Sequence, residues 1–251
     1  NRDAVNLSQP ESLVLKNIYN DFKPNFCFNL HGQRSIYSTV NFNSSILSFL
    51  SPSSDFDRNE TDSRVQSMKI ILDIFDNLKT LIPNNIGRYN DEFNINCVGD
   101  TFQSLNTPTI LFESGHYSND YTREISRYYT SLAITYAVKS IHSKGFNLQN
   151  HKDYYKIPEN STSLCDVFIK NIKIMQSSGQ HVDLSILYKE KLNLVSKEVE
   201  FIPEISEFGK LEKVSGHLVA DFILINNVFD ISVENDLDKI IVIAKELRNI
   251  H

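Results

Sequence analysis

The sequence predicts an α/β fold, with a sheet flanked by helices and followed by a smaller C-terminal region. Two observations carry this. Short apolar runs bounded by Pro, Ser and Gly alternate with long stretches of helical periodicity over residues 1–145. Beyond Gly145 the pattern changes to short period-2 segments and one last amphipathic helix.

The elements follow in order. Ser8, Pro10 and Glu11 form a helix start, with Ser8 as N-cap and Glu11 completing a capping box. That helix is expected to reach about Asn20 with Leu13, Val14, Ile18 and Tyr19 inward. Phe26–Leu30 reads as a strand ending at His31-Gly32, and Ser45–Leu50 as another ending at Ser51-Pro52. A long helix is predicted over 62–81, because Val65, Met68, Ile71, Ile74, Phe75 and Leu78 recur at helical spacing. Residues 86–100 are polar, aromatic and Asn-rich, and read as a long functional loop before a helical turn at 101–105. The run Pro108–Phe112 is a buried strand that ends in Glu113. A helix over 121–143 follows, closed by Gly145, with Ile125, Tyr128, Tyr129, Leu132, Ile134, Tyr136, Val138 and Ile141 as its inward stripe.

Residues 147–160 are polar and carry Pro158, which predicts a linker and a domain boundary at about 145/146. Past it, residues 164–176, 182–188, 198–202 and 214–225 read as short strands. Residues 235–248 read as a helix with Leu237, Ile240, Ile241, Ala244 and Leu247 on one face. Residues 146–251 thus form a small α+β accessory domain. His181 and His217 are single histidines in polar surroundings and carry no visible chemistry.

A chain of 251 residues with 41% hydrophobic and 22% charged residues has ample material for a globular core. Its net charge of −6 argues against nucleic acid or an anionic membrane as the main partner. No apolar run approaches the roughly 20 residues that span a bilayer. Three cysteines, 27, 97 and 165, lie far apart without a Cys-x-x-Cys pair, which is no disulfide framework and points weakly to a cytoplasmic, reducing compartment.

Two strand ends carry chemistry. A carboxylate where an apolar strand emerges, as at Glu113, needs a metal, a cation or hydrogen-bond donors to offset its desolvation. It can also serve as a general base toward a bound water, or simply cap a loop or pair with a lysine. His31, at the end of Phe26–Leu30, reads either as a hydrogen-bonded histidine or as a metal ligand. Ligands of open α/β sheets bind at the carboxyl ends of strands, so the pair suggests a metal ligand and a base. Arg34 and His116, each three residues past one of these groups, are either auxiliary contacts or ordinary solvated and structural side chains.

Asn1-Arg2-Asp3, Leu7–Ser12, Asn29-Leu30-His31 and Leu111-Phe112-Glu113 together resemble the zinc carboxypeptidase family (carboxypeptidase A-like), in the family's order and over residues 1 to about 142. The likeness is to a subgroup of Bacteroidetes-type bacteria carrying Phe-Asn-Leu-His-Gly-Gln-Arg and Pro-Thr-Ile-Leu-Phe-Glu. The resemblance implies a carboxypeptidase-like mixed sheet and a peptide substrate with a free C-terminus. Asn1 and Arg2 then match the pair that holds the terminal carboxylate, a task suited to a guanidinium fork. His31 matches the last of three protein ligands to zinc, and Glu113 the general base; in carboxypeptidase A itself two His and one Glu hold the catalytic zinc. Tyr89 matches the mobile tyrosine that closes over substrate, with Phe93 as its rival.

The sequence also departs from the family. His-x-x-Glu, which supplies the first two zinc ligands upstream of the Asn-Arg pair, occurs nowhere. The expectation is therefore the C-terminal part of a catalytic domain whose zinc site is incomplete in this chain. Alternatives are a cell-wall peptide or amide hydrolase of the same family, or a peptide-binding module that has lost its metal.

Overall fold

The computed structural model describes residues 2–178, 180–232 and 234–248. It divides into two compact units, the first ending at Ser161 and the second beginning at Thr162. The sheets are flanked by helices, as the alternation of elements predicts. No helix among the described residues is long and apolar enough to cross a membrane.

The first unit is built on α1 (Pro10–Phe22), β1 (Cys27–Gly32), a two-residue β2 (Tyr37–Ser38), β3 (Leu47–Leu50), α2 (Asp62–Leu78), β4 (Ile86–Arg88), α3 (Val98–Ser104), β5 (Thr109–Ser114) and α4 (Glu124–Ser143). Its four-stranded sheet has the order β1-β5-β3-β4 and is mixed: β1 runs parallel to β5, β5 antiparallel to β3, and β3 parallel to β4. One face is apolar. Leu47, Phe49, Ile86, Ile110 and Phe112 are buried there with Met68, Ile71 and Ile74 of α2 and Ala133 and Ala137 of α4. Because side chains alternate across a strand, the opposite face carries Asn29 and His31 of β1, Leu111 and Glu113 of β5, and Ser48 and Leu50 of β3. That polar face is where the candidate site lies.

Several expectations are corrected. Helix α1 buries none of its residues, and Leu13, Val14 and Ile18 are exposed; only Tyr19 is anchored, stacked on Phe102 with its hydroxyl 2.6 Å from Thr107 Oγ1. Its N-cap is Gln9 rather than Ser8, because the Asp3 carboxylate takes both the Ser8 hydroxyl and the Gln9 N–H. In α4 the fully buried line is Ser126, Ala133, Ala137 and Ser140, whereas Ile125, Tyr128 and Val138 are exposed. Small side chains let α4 lie close to the sheet and α2, while Tyr129, Leu132, Ile134, Tyr136 and Ile141 of the predicted stripe pack, partly buried, against the same core. Residue Lys144, in the left-handed conformation, closes the helix in place of Gly145.

The loop expected over 86–100 is partly ordered. Ile86–Arg88 pairs with β3, and α3 begins at Val98. The boundary expected at 145/146 moves to 161/162, because residues 145–156 form short 3-10 turns and Phe146, Tyr154 and Ile157 enter the first unit's core. The buried Tyr154 hydroxyl accepts the Ser51 N–H at 3.1 Å, which ties this segment to the end of β3.

The second unit contains β6 (Ser161–Thr162) at its border, then β7 (Leu164–Ile174), β8 (His181–Leu192), β9 (Val199–Gly209), β10 (Ser215–Asp221), β11 (Val228–Phe229) and α5 (Glu234–Arg248). The sheet order is β10-β7-β8-β9, with β11 also on β7. Ile169, Ile172, Leu184, Ile186 and Phe222 form its core with Ile240 and Ala244 of α5. The helix matches the predicted face. Strands β8 and β9 are longer than their patterns predict, since they form one extended hairpin whose cross-strand pairs run from Asp183–Gly209 to Leu192–Val199.

Candidate functional site

On the polar face of the first sheet, a cleft of about 870 Å³ opens beside the ends of β1 and β5. The pairing of these two strands sets its chemistry. In their parallel register His31 stands directly opposite Glu113, and Asn29 opposite Leu111. The His31 Nδ1 atom lies 4.0 Å from Glu113 Oε1. The other ring nitrogen, Nε2, lies 3.0 Å from Asn29 Oδ1. An amide oxygen cannot donate, so Nε2 carries the proton in this pair and the neutral ring turns its Nδ1 lone pair toward Glu113.

Glu113 is 13% exposed in its side chain, and its Oε2 is buried without a hydrogen-bond partner among the described residues. Burial therefore disfavours the charged form and pushes its pKa up from 4.5 to about 7. A carboxylate held there can both take and return a proton near neutral pH. Burial likewise lowers His31 below the ordinary imidazole value, which favours the neutral ring.

The other expected residues are distributed as follows. Arg2 is exposed and borders the same cleft, its backbone carbonyl accepting the Asn96 side-chain amide at 2.5 Å. Asn1 lies outside the described residues. Tyr89 also lines the cleft, but it is tied down: its N–H donates to Phe49 O at 2.9 Å and its hydroxyl to Gln33 Oε1 at 2.8 Å. Burial, and then the charge of Glu113, raise the Tyr89 pKa well above the tyrosine range. Phe93 lines the cleft too, edge-on to Phe56 with ring centroids 4.9 Å apart. Arg34 borders the cleft and is exposed. His116 is buried against Tyr121, with ring centroids 4.8 Å apart, and is not among the cleft residues.

Three cleft residues escape a reading by motif. Gln33, 4% exposed, lies beneath Tyr89. Asp100 faces the cleft rather than solvent; burial raises its pKa to about 6 against the lowering effect of the Asn94 N–H. Cys97 lines the wall with its thiol pKa raised by burial. Of these, Gln33 alone had a usable signal, since Asn29, His31 and Gln33 share a face at period two.

A catalytic zinc takes three protein ligands and keeps a fourth position open. Among the described residues, no three His, Cys, Asp or Glu side chains converge on one point. His31 is one donor, and Glu113 is placed as its neighbour. The described residues alone therefore do not make a catalytic zinc site.

No family model, no curated protein and no solved structure matches this chain.

Proposed function

We propose that the cleft is the hydrolytic half of a carboxypeptidase-like site acting on peptides with a free C-terminal carboxylate. The observation that carries this reading is the His31–Glu113 pair: a donor nitrogen and a desolvated carboxylate, 4.0 Å apart on adjacent parallel strands, at the floor of a cleft that Arg2 and Tyr89 also border. The order of the four motifs supports the same reading. In it, Glu113 takes a proton from a cleft water and returns it to the leaving amine, which needs a pKa near the working pH. Arg2 anchors the substrate carboxylate with two parallel hydrogen bonds. Asn29 holds the His31 ring so that Nδ1 faces the reaction. Tyr89 forms one wall.

The zinc that the motif resemblance implies does not fit the described residues by themselves; two donors beyond His31 are required. The second unit is proposed as an accessory domain.

The test is hydrolysis of an N-acyl dipeptide by the protein expressed from its full reading frame. Activity is expected there, and Glu113→Gln is expected to lower kcat by about 10²–10⁴-fold with bound zinc unchanged, since general-base removal has that size. Dipeptide binding without turnover in the full-length protein points instead to a peptide-binding module. Full activity of Glu113→Gln excludes the proposed base.

A further inference from the structure

At one wall of the cleft, on the polar face of the sheet, lies a compact polar network. Its centre is Gln33. The side-chain Nε2 donates to Ser45 O at 2.7 Å. The side-chain oxygen, Oε1, accepts from the Tyr89 hydroxyl at 2.8 Å, from Ser48 Oγ at 3.0 Å and, more weakly, from Asn160 Nδ2 at 3.5 Å. Asn160 Nδ2 also donates to Ser48 Oγ at 2.7 Å, and Ser45 Oγ lies 2.8 Å from Ser48 Oγ. Ser45 and Ser48 are both buried.

The backbone of Gln33 is equally constrained. Its N–H donates to Ser114 O at 2.9 Å, and its carbonyl accepts the Arg123 guanidinium at 2.6 Å. Two glycines make room: a Cβ on Gly87 would fall 1.9 Å from Asn160 Oδ1, and one on Gly115 would fall 1.9 Å from Ser45 O and 2.4 Å from Gln33 Nε2.

This network decides a proton position. Ser45 O is a backbone carbonyl and can only accept, so the amide nitrogen of Gln33 must face it. Turning the amide over would set two acceptors 2.7 Å apart. The atom beneath Tyr89 is therefore an oxygen, and the single Tyr89 proton points down into the network. The phenol oxygen, with the Tyr37 and Asn160 side chains within hydrogen-bonding reach and Tyr37 edge-on at 5.3 Å between ring centroids, is then left as an acceptor.

We infer that Gln33 is a positioning residue that fixes Tyr89 as a seated wall of the cleft and orients its hydroxyl as a hydrogen-bond acceptor, so that a ligand meets it with an N–H donor such as a peptide amide. This rests on the proposed peptide reading for the class of ligand, but not for the orientation of the hydroxyl. It differs from the swinging tyrosine that the motif resemblance implies. A Tyr89 that rises must give up its bond to Gln33 Oε1, whose remaining donors are Ser48 and Asn160.

The hydroxyl orientation is read directly by NMR of the 251-residue chain with tyrosine labelled at Cζ, in an equal mixture of light and heavy water. A Tyr89 hydroxyl proton held in the network exchanges slowly and splits the Cζ signal, which is assigned by its loss in Tyr89→Phe. The splitting is expected in the wild type and absent in Gln33→Met. An unsplit wild-type signal, or splitting that persists in Gln33→Met, overturns the inference whatever the protein hydrolyses. Should Gln33→Met fail to fold, the wild-type signal still decides. Binding of an N-acetyl dipeptide reports separately on the ligand class. A loss of about 2–10-fold is expected in either single variant, the size of one hydrogen bond. The double variant should lose no more, because the two residues act as one unit. A wild type that splits the signal yet ignores the dipeptide removes the peptide reading and leaves Gln33 as the residue orienting Tyr89.

Discussion

Replacing Glu113 by Gln should stabilise the fold, and only above mildly acidic pH. In the folded chain burial raises the Glu113 pKa to about 7, against 4.5 for an ordinary glutamate. The folded state thus holds this proton more tightly than the unfolded state. A raised carboxylate contributes stability that is complete below pH 4.5 and is lost as pH rises through about 7. At about 1.4 kcal/mol per pH unit the gap amounts to at most about 3.5 kcal/mol. The cleft admits water to a carboxylate that keeps 13% exposure, and the screening this brings leaves on the order of 1–2 kcal/mol. Glutamine fills the same volume without ionising. Thermal melts of both proteins across pH 4–9 should therefore coincide near pH 4 and separate by roughly 2–6 °C at pH 8, with the variant higher. His31, whose pKa burial lowers, has the opposite sign and gains stability with rising pH, but it is present in both proteins and largely cancels in the difference. Parallel profiles across the whole range, or a variant less stable at pH 8, would refute the claim that Glu113 is a desolvated acid.

Other outcomes follow from packing and charge. Gly115→Ala sets a methyl group against Ser45 O and Gln33 Nε2, where the backbone cannot yield; a loss of about 3 kcal/mol is expected, read by urea denaturation, and a loss under about 1 kcal/mol contradicts the close approach. Tyr154→Phe leaves the Ser51 N–H buried without its partner and should cost about 1–3 kcal/mol in the same assay. A chain ending at Ser161 should fold cooperatively by circular dichroism, whereas one ending at Gly145 should not, because Phe146, Tyr154 and Ile157 leave the core. Arg2→Lys should weaken binding of a free-carboxylate dipeptide nearly as much as Arg2→Ala, since a point charge does not replace a bidentate fork; full rescue by lysine contradicts the anchor.

The fold was legible where a single element decides its own structure. Helix α2 shows its apolar spacing, and β1 and β5 are apolar runs with clear punctuation. It was illegible where a partner decides. Ile86–Arg88 is too short and glycine-broken to read as a strand, and becomes one only by pairing with Leu47–Phe49. Ser8 has the identity of an N-cap, but Asp3 competes for it with a charged acceptor five residues away. In α4 the bulky stripe finds Tyr129, Leu132, Ile134, Tyr136 and Ile141 at the core but misses Ser126, Ala133, Ala137 and Ser140, which are buried for being small. The polar composition of 147–160 conceals two core side chains, Tyr154 and Ile157, and Phe146 joins them from just before it, since one aromatic or aliphatic residue per turn suffices to dock a 3-10 segment.

The candidate site shows the same division, and period two explains it. Along β1 the sequence alternates Phe28, Asn29, Leu30, His31, so one face of the strand is polar; along β5 the facing positions are Leu111 and Glu113. On an ordinary half-buried sheet such a polar face meets water. Here the face is walled by the chain from Tyr89 to Asp100, and becomes the floor of a cleft. Strand ends therefore reveal His31 and Glu113, because ligand-type side chains there stand out against apolar neighbours. Gln33 continues the same alternation, but an amide carries no charge and draws no notice. Its role emerges only when Ser45, just ahead of β3, supplies a carbonyl that decides which way the amide must turn. Chemistry carried by one side chain is visible in a sequence; chemistry carried by the direction of a proton needs every partner in place.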